Sequence, residues 1–313
     1  MNSVIELLES LAAKGGGSIS FERLMEAALY DPKFGYYTAN ISTVGRGGDF
    51  STSATLSDEL GRAIAHWIDE RSDSRDVSVI ELGAGDGSLA EAILNQVGFW
   101  SRRRRWRYQM IDISPKLRQL QKERLKQFGK IVSWRGSIEE ALDVFQGRAL
   151  IFSNELVDAF PVRAEAETEA GWEEVRFRFD RKSGLQPITE SNLGKQRLVH
   201  DSYRRWLHSW TPKLKEGSML TIDYTGNSNQ VRAYYQQQRV DAIFSRFGKQ
   251  DLTADVNFDD LERWGEAIGW ETVERMTQAE WITKRIGAGG RLTDANDAGG
   301  AFEVLEQRMW RGL

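Results

Sequence analysis

The feature that most constrains the fold is the stretch Val77-Ser-Val-Ile-Glu-Leu-Gly-Ala-Gly-Asp-Gly-Ser-Leu89. A short apolar run that ends at a glycine-rich turn predicts a buried strand passing directly into a helix. The backbone can approach a ligand closely at Gly83, Gly85 and Gly87, because glycine has no side chain. Glu81 places a carboxylate at the carboxyl end of the strand. The stretch therefore predicts a nucleotide-type cofactor site.

The identity of the cofactor follows from what the glycine loop lacks. A dinucleotide fingerprint needs a third glycine at position 88, where the chain has Ser88, and a phosphate-binding P-loop needs a lysine. Glu81 and Asp86 are both negative, which disfavours a phosphate and suits S-adenosylmethionine, a cation whose ribose hydroxyls can bond to carboxylates. A nicotinamide oxidoreductase is therefore disfavoured, and a tight turn without a ligand is the alternative interpretation.

A second strand is predicted at Trp106 to Ile111, and it ends at Asp112. An acid that closes the second strand of a βαβ unit lies where a ribose binds, so Asp112 is the expected ribose ligand, with helix capping as the alternative. Ile113 is grouped with it as a cofactor-binding residue. Ser137 and Ile138, which follow the third strand, fall where the adenine is expected.

Strands and helices alternate along the chain, which predicts an α/β fold with a mainly parallel sheet. The expected core strands are 77–82, 107–111, 131–134, 149–153 and 218–223. Helices are expected at 3–13, 21–30, 58–71, 258–268 and 278–286, and an edge hairpin at 270–275 and 302–309 is expected to complete the sheet. Val162 to Ala166 and Trp172 to Phe179 resemble a hairpin, and 229–256 reads as a polar, aromatic-rich insertion.

Composition narrows the class of protein. The chain has 313 residues, a formal net charge of -4, no cysteine and three histidines. These values disfavour a nucleic-acid partner, exclude disulfides and a cysteine nucleophile, and argue against a metal site. The sequence shows neither a basic leader nor an apolar stretch approaching about 18 residues, so we expect no membrane span and a cytoplasmic location.

Several separated segments together resemble the MidA-like S-adenosylmethionine-dependent methyltransferases, whose mitochondrial members are respiratory complex I assembly factors that methylate a protein arginine. The segments are Tyr30-Asp-Pro-Lys-Phe-Gly-Tyr-Tyr37, Gly48-Asp-Phe-Ser-Thr-Ser53, Glu81-Leu-Gly-Ala-Gly-Asp-Gly87, Ser153-Asn-Glu-Leu-Val-Asp-Ala-Phe-Pro161, Ile222-Asp-Tyr224 and Asp251-Leu-Thr-Ala-Asp-Val256. Their common order over most of the chain is more specific than any one motif.

The resemblance implies a Rossmann-like, seven-stranded class I methyltransferase sheet with an N-terminal helical extension and inserted elements. We expect an extension with a cofactor-covering loop at 1–72 and the core at 73–313, with insertions near 162–200 and 225–256 forming a smaller substrate-facing lobe. Two departures from the family pattern, Ala54-Thr55 and Thr225, concern the substrate more than the cofactor.

The candidate catalytic residues Asn154, Glu155 and Asp158 follow the fourth strand, at the sheet edge where such folds bind ligands. Two carboxylates beside a methyl donor favour a nitrogen acceptor, because arginine pairs bidentately with carboxylates and a nearby anion can orient it. Capping of the loop is the alternative role for Asn154 and Asp158. Asp49, in a glycine-rich loop, is expected to close the cofactor pocket or to satisfy its own turn.

These observations favour an S-adenosylmethionine-dependent methyltransferase that modifies an arginine of a partner protein. Two alternatives remain open: a small-molecule N- or O-methyltransferase, which needs a closed apolar pocket, and a cofactor-binding assembly chaperone with little turnover.

Overall fold

The computed structural model describes residues 3–41, 58–72, 76–100, 105–189, 195–226, 230–236, 238–295 and 298–310. The chain divides into two compact units. The first unit comprises Met1–Ile41, Val157–Tyr203 and Gly226–Asp255, and the second comprises Ser42–Leu156, Arg204–Thr225 and Val256–Leu313.

The described strands are, in chain order, β1 (Ile19–Ser20), β2 (Asp76–Leu82), β3 (Arg105–Ile111), β4 (Val132–Arg135), β5 (Arg148–Asn154), β6 (Arg163–Thr168), β7 (Gly171–Glu174), β8 (Arg176–Asp180), β9 (Gly184–Pro187), β10 (Gln196–Val199), β11 (Glu216–Tyr224), β12 (Val231–Tyr235), β13 (Gln238–Val240), β14 (Asp251–Ala254), β15 (Glu271–Thr277) and β16 (Phe302–Trp310). The described α-helices are α1 (Val4–Lys14), α2 (Phe21–Tyr30), α3 (Glu59–Arg71), α4 (Ser88–Trp100), α5 (Pro115–Arg124), α6 (Ile138–Val144), α7 (Asp201–Trp210), α8 (Phe258–Glu266), α9 (Gln278–Ile286) and α10 (Ala298–Ala301). Shorter helical turns lie at Tyr36–Asn40, Lys126–Ile131, Val157–Ala159, Thr211–Lys213 and Arg291–Thr293.

A seven-stranded sheet forms the centre of the second unit, in the order β15-β16-β11-β5-β2-β3-β4. The five strands from β11 to β4 are parallel, whereas β16 pairs antiparallel with both β11 and β15. The predicted seven-stranded α/β fold is therefore confirmed.

Helices α3 and α4 cover one face of this sheet because each carries an apolar stripe at helical spacing. In α3 the buried residues include Leu60, Ile64 and Trp67. The two helices approach closely at Gly61, where a Cβ would lie 2.4 Å from the Cβ of Ala92. Glycine is needed at this position because any side chain would separate the helices. None of the described helices has the length and apolar character that a membrane span requires.

The first unit is built from three small sheets of three strands each: β1-β8-β9, β10-β6-β7 and β13-β12-β14. Helix α1 begins at the capping residue Ser3, whose side chain accepts a hydrogen bond from the Glu6 amide. Its apolar face packs with Ile19 and Leu24 in a core that also contains Phe177 and Phe244. This core therefore joins α1 and α2 to segments that follow β5 and β11 in the chain.

The predicted hairpin after β5 is partly wrong. β6 and β7 do pair antiparallel around Glu169-Ala-Gly171, but β7 ends at Glu174. The chain then enters β8, which pairs with β1 and β9 in a different sheet. The break falls at Val175, whose N–H donates to the carbonyl of Ala164 while its own carbonyl accepts from Phe21. Two glutamates separate Trp172 from Val175, so the apolar alternation of Val175, Phe177 and Phe179 is out of phase with Trp172. This change of phase marks the break, and the prediction of one continuous strand overlooked it.

The predicted edge pair of strands, with a helix between them in the chain, is confirmed. β15 and β16 are antiparallel neighbours, and α9 and α10 lie between them in the chain. β16 lies between β11 and β15, which leaves β15 at the edge of the sheet.

We expect Gly61→Leu to lower the free energy of unfolding by about 1–3 kcal/mol, because the new side chain must separate two packed helices. Arg62→Leu places the same side chain at the neighbouring exposed position of α3 and should cost no more than about 0.5 kcal/mol. Urea denaturation of both variants measures the difference. Equal losses would show that the close approach at Gly61 carries no special packing constraint.

Candidate cofactor site

The site begins at the reversal of strand order in the central sheet. From β2 the chain proceeds through β3 to β4 on one side, and then returns to β5 on the other side. Leu82 at the end of β2 is paired with Ile111 of β3 and with Ser153 of β5. Open α/β sheets bind ligands outside the carboxyl ends of the strands at this reversal.

Glu81 lies in this region with only 2% of its surface exposed. The Tyr108 hydroxyl donates a hydrogen bond of 2.7 Å to Glu81 Oε2. Burial raises the pKa of Glu81 to about 8; the Tyr108 hydrogen bond opposes this shift, and the nearby Asp112 and Asp86 add to it. The carboxyl group is therefore held in a setting where a cationic partner would stabilise its charged form.

The glycine loop after Glu81 has positive φ at Gly83, Gly85 and Gly87, at 66°, 54° and 83°. A side chain at Gly83 would meet Leu156, whose Cδ1 would lie 2.8 Å from a Cβ there. No atom of the described residues would lie within 4 Å of a Cβ on Gly85. The loop therefore packs against the turn after β5 on one side and leaves space above Gly85.

Asp112 follows β3 and is 9% exposed. Its Oδ1 accepts from the Ser114 amide at 2.8 Å, and its Oδ2 accepts from Gln121 Nε2 at 2.9 Å. Burial raises the pKa of Asp112 to about 6, and these two hydrogen bonds limit the rise. Ser114 itself caps α5 by accepting from the Leu117 amide. Capping of α5 is thus done by Ser114, and the Asp112 carboxylate is oriented by donors on both oxygens.

Ile113, beside Asp112, is 56% exposed, unusual for a large apolar side chain. Ser137 and Ile138 follow β4, whose last residue Arg135 is paired with Ile111 of β3. Ser137 caps α6 by accepting from the Glu140 amide, and Ile138 is buried. All three therefore lie at the same sheet edge as Asp112.

Asn154 is the last residue of β5, and Glu155 begins the turn that follows it. Glu155 has a φ of 52°, a conformation uncommon for a residue with a side chain. Its N–H donates to the Ile222 carbonyl at 2.9 Å, and its Oε1 accepts from Asn154 Nδ2 at 3.1 Å. Strained backbone of this kind persists where the surroundings hold it, and it occurs frequently at functional sites.

Asp223 is part of what holds this turn. The residue is fully buried at the end of β11, and its Oδ2 accepts from the Leu156 amide at 3.1 Å. Its Oδ1 accepts from the Tyr224 amide at 2.8 Å. The backbone of residues 155 and 156 is therefore anchored to β11 through a carbonyl and a buried carboxylate.

Asp158 belongs to the first unit, in the helical turn Val157–Ala159. It is buried and lies near Tyr37, whose hydroxyl donates to Asp251 Oδ1 at 2.7 Å. Burial raises the pKa of Tyr37 well above its usual range, and Asp251, Tyr30 and Asp158 add to that rise. Asp49 lies outside the described residues, as do Ala54 and Thr55.

Sequence reasoning missed the three partners that orient these acids: Tyr108, Gln121 and Asp223. Tyr108 is paired with Val79, two residues before Glu81, so the two side chains share a sheet face. An alternation count over both strands could have suggested that contact. Gln121 lacks any comparable signal, because its partners are distant in sequence. Asp223 lies in the segment Ile222-Asp-Tyr224, which resembles the family but gave Asp223 no role.

Comparison with known proteins decides what kind of cofactor the site serves. The model of a family of S-adenosyl-L-methionine-dependent methyltransferases matches residues 59–276, which is more than half of the chain. The chain belongs to this family. The expected cofactor is thereby confirmed at the level of the family, and so is the resemblance inferred from the sequence motifs.

Relatives of this methyltransferase include the mitochondrial protein arginine methyltransferase NDUFAF7 of Danio rerio, which is 29% identical over 82% of this chain and 71% of the relative. The Rattus norvegicus protein of the same name is 26% identical over 99% of this chain and 80% of the relative. A Burkholderia thailandensis structure with bound S-adenosyl-homocysteine superimposes with a TM-score of 0.83 at 23% identity, covering 96% of this chain and 90% of that chain. The structural likeness shows a shared fold.

The residues of this methyltransferase fit S-adenosylmethionine. Glu81 and Asp112 offer carboxylates to a ligand that carries an ammonium, a sulfonium and ribose hydroxyls. The described residues leave room for a ligand beside Gly85, and the exposed Ile113 offers an apolar surface. Among the described residues, no group of three histidine or acidic side chains is arranged to hold a metal ion.

The raised pKa of Glu81 predicts a pH-dependent stability. Its pKa is about 8 in the folded chain and about 4.5 when unfolded, so the folded state holds a proton that the unfolded state has lost. The contribution of the protonated Glu81 to folding stability is complete below pH 4.5 and is lost as the pH rises through 8. As the pH rises from 6 to 8, we expect the ionisation of Glu81 to decrease the free energy of unfolding by about 2 kcal/mol.

Urea denaturation at several pH values tests this expectation. Glu81→Gln keeps an acceptor for Tyr108 but cannot ionise, so its stability should fall less over this interval. The comparison removes contributions that both proteins share, such as the buried His200, whose pKa burial lowers to about 4. Glu123→Gln, at an exposed position, serves as the control. Parallel pH profiles for the wild type and Glu81→Gln would contradict the prediction.

Proposed function

We propose that this methyltransferase transfers a methyl group to a nitrogen of an arginine side chain in a partner protein. The proposal draws on Glu155, which stands in the turn that packs on the glycine loop through Leu156, at the reversal point of the sheet. The names of relatives from several animals, each called a protein arginine methyltransferase, favour the same acceptor. Their identity to this chain, 29% or less, leaves the substrate to experiment.

Glu155 suits this role by position and by surroundings. Its carboxylate is half-buried, and Asn154 donates to one of its oxygens. The next residue, Leu156, is the one that a side chain at Gly83 would meet. The carboxylate is therefore carried by a turn that packs directly against the cofactor loop.

A carboxylate is the group that an arginine acceptor requires. Guanidinium keeps its proton at neutral pH and pairs with carboxylates through two parallel hydrogen bonds. Such pairing holds one nitrogen in a fixed direction and stabilises the positive charge that grows on the acceptor. The nitrogen that gains a methyl group must also lose a proton, and in this proposal Glu155 accepts it.

The cofactor would be held by the residues around the glycine loop. Glu81 would stabilise its positive charge and Asp112 would bind the ribose hydroxyls, while Ile113, Ser137 and Ile138 would lie near the adenine. When bound, S-adenosylmethionine supplies an activated methyl group. The part that Asp158 and Asp49 would take in closing the site or holding the substrate stays a prediction.

The acceptor can be identified by methyl transfer. The purified chain is incubated with S-adenosylmethionine carrying a tritiated methyl group and with extract from cells that lack the gene. Acid hydrolysis and chromatography of the protein fraction should yield labelled methylarginine. Label in small molecules would favour the alternative of a small-molecule methyltransferase. Cofactor binding without any transfer would favour an assembly chaperone.

Glu155→Gln should lower turnover by a factor of about 100 or more, because the amide can neither pair as an anion nor accept a proton. The dissociation constant for S-adenosylmethionine should stay within about threefold, since the substitution preserves the shape of the turn. Glu266→Gln, at an exposed position at the end of α8, is the matched control. Undiminished turnover in Glu155→Gln would remove Glu155 from the chemistry.

A further inference from the structure

Gln121 is a buried polar side chain at the cofactor site whose role neither the family match nor the sequence motifs assign. It lies on α5 and has 0% of its surface exposed. A buried amide is unfavourable unless its polar atoms are hydrogen-bonded. In this protein all of its bonds go to elements of the site.

Three hydrogen bonds join Gln121 to three separate elements of the second unit. Its Nε2 donates to the Gly85 carbonyl at 2.8 Å and to Asp112 Oδ2 at 2.9 Å. Its Oε1 accepts from Trp134 Nε1 at 2.9 Å. One side chain thus connects the glycine loop after β2, the acid after β3 and the strand β4.

The orientation of the amide follows from its partners. A carbonyl and a carboxylate only accept hydrogen bonds, and an indole N–H only donates. The NH₂ group must therefore face Gly85 and Asp112, and the oxygen must face Trp134. A glutamate at this position could not supply either donated bond, and it would bring a second negative charge to Asp112.

The backbone of α5 adds a second contact with the loop. A Cβ on Gly87 would lie 3.4 Å from the Cα of Gln121 and 3.5 Å from Cδ1 of Leu125. The helix that carries Gln121 therefore packs directly on the glycine loop. The hydrogen bonds act between elements that already touch.

We propose that Gln121 is a positioning residue of the cofactor site, which fixes the Asp112 carboxylate relative to the glycine loop. The inference rests on the proposed role of Asp112 as the ribose ligand. Two of the bonds that orient the site share one nitrogen, so loss of the side chain releases the loop and the carboxylate together.

Gln121 also acts on the charge of Asp112. Burial raises the pKa of this carboxyl group, whereas the bonds from Ser114 and Gln121 and the charge of Arg118 lower it. Among the described residues, the titratable groups that also face this region include Glu81 on β2, whose pKa burial raises to about 8, and Asp86, whose carboxylate is paired with Arg124 at 2.6 Å. Without the donor from Gln121, Asp112 should take up a proton at higher pH.

Calorimetric titration of the full chain with S-adenosylmethionine between pH 5.5 and 8.5 tests the inference. For Gln121→Glu and Gln121→Met we expect an affinity about 10- to 100-fold lower at pH 7.5. In Gln121→Met the acid-side loss of affinity should begin at a higher pH than in the wild type. If Gln121 only stabilised the fold, its replacement would not shift the pH dependence of S-adenosylmethionine affinity. Gln119→Glu, at an exposed position on the same helix, should bind like the wild type.

Trp134→Phe provides a second variant in case those substitutions prevent folding, which circular dichroism would reveal. It removes the indole donor to the Gln121 oxygen together with part of the ring, and the affinity should fall by a few-fold with the same direction of pH shift. Wild-type affinity and an unshifted profile in the folded variants would overturn the inference.

Asp112→Ala distinguishes a failure of the positioning role of Gln121 from a failure of the ribose-binding role of Asp112. If Asp112→Ala loses affinity while folded Gln121 variants do not, the role of Gln121 is wrong and that of Asp112 stands. If Asp112→Ala binds like the wild type, the ribose role fails and the positioning role falls with it. Loss of affinity in both sets of variants, with the shifted profile, supports the inference.

Discussion

The return of the chain to β5, beside β2, is the constraint on which the cofactor site depends. Parallel strands end at one edge of a sheet, so the segments that follow β2, β3, β4 and β5 meet there. Glu81, Asp112 and Glu155 come from three different strands or their following turns, and no short segment of sequence contains them all. The order of the strands brings them to one edge, and hydrogen bonds from neighbouring elements then set their orientation.

In each of those hydrogen bonds, a neighbouring side chain donates to one of the acids. Each acid at the edge is buried or half-buried, and a side chain from another part of the second unit or from the adjacent residue donates to it: Tyr108 to Glu81, Gln121 to Asp112 and Asn154 to Glu155. Burial makes these donors necessary, because an unpaired carboxylate in such a setting would be strongly destabilising. The same burial strengthens the attraction for a cationic cofactor.

Much of the site was predictable from local sequence, because glycine loops and strand-terminal acids are short-range signals. The glycine loop and Asp112, the acid that follows β3, were proposed in this way. The family match confirms the cofactor that they indicated. Gln121 was not found, since its partners lie in other elements and only the folded chain joins them. Asp223 was named within a motif, but its contact with the turn after β5 is visible only in the folded chain. The break at Val175 was missed because the prediction treated Trp172 to Phe179 as one strand, although the alternation changes phase between Trp172 and Val175.

The backbone at Glu155 has a consequence for how this turn could vary. A positive φ disfavours a residue with a side chain, by about 1 kcal/mol or more relative to glycine. A glycine would therefore form the turn more easily and would ease folding. If Glu155 has the proposed role in methyl transfer, replacing it by glycine would stabilise the turn and remove the carboxylate, so stability and activity would oppose each other at this position.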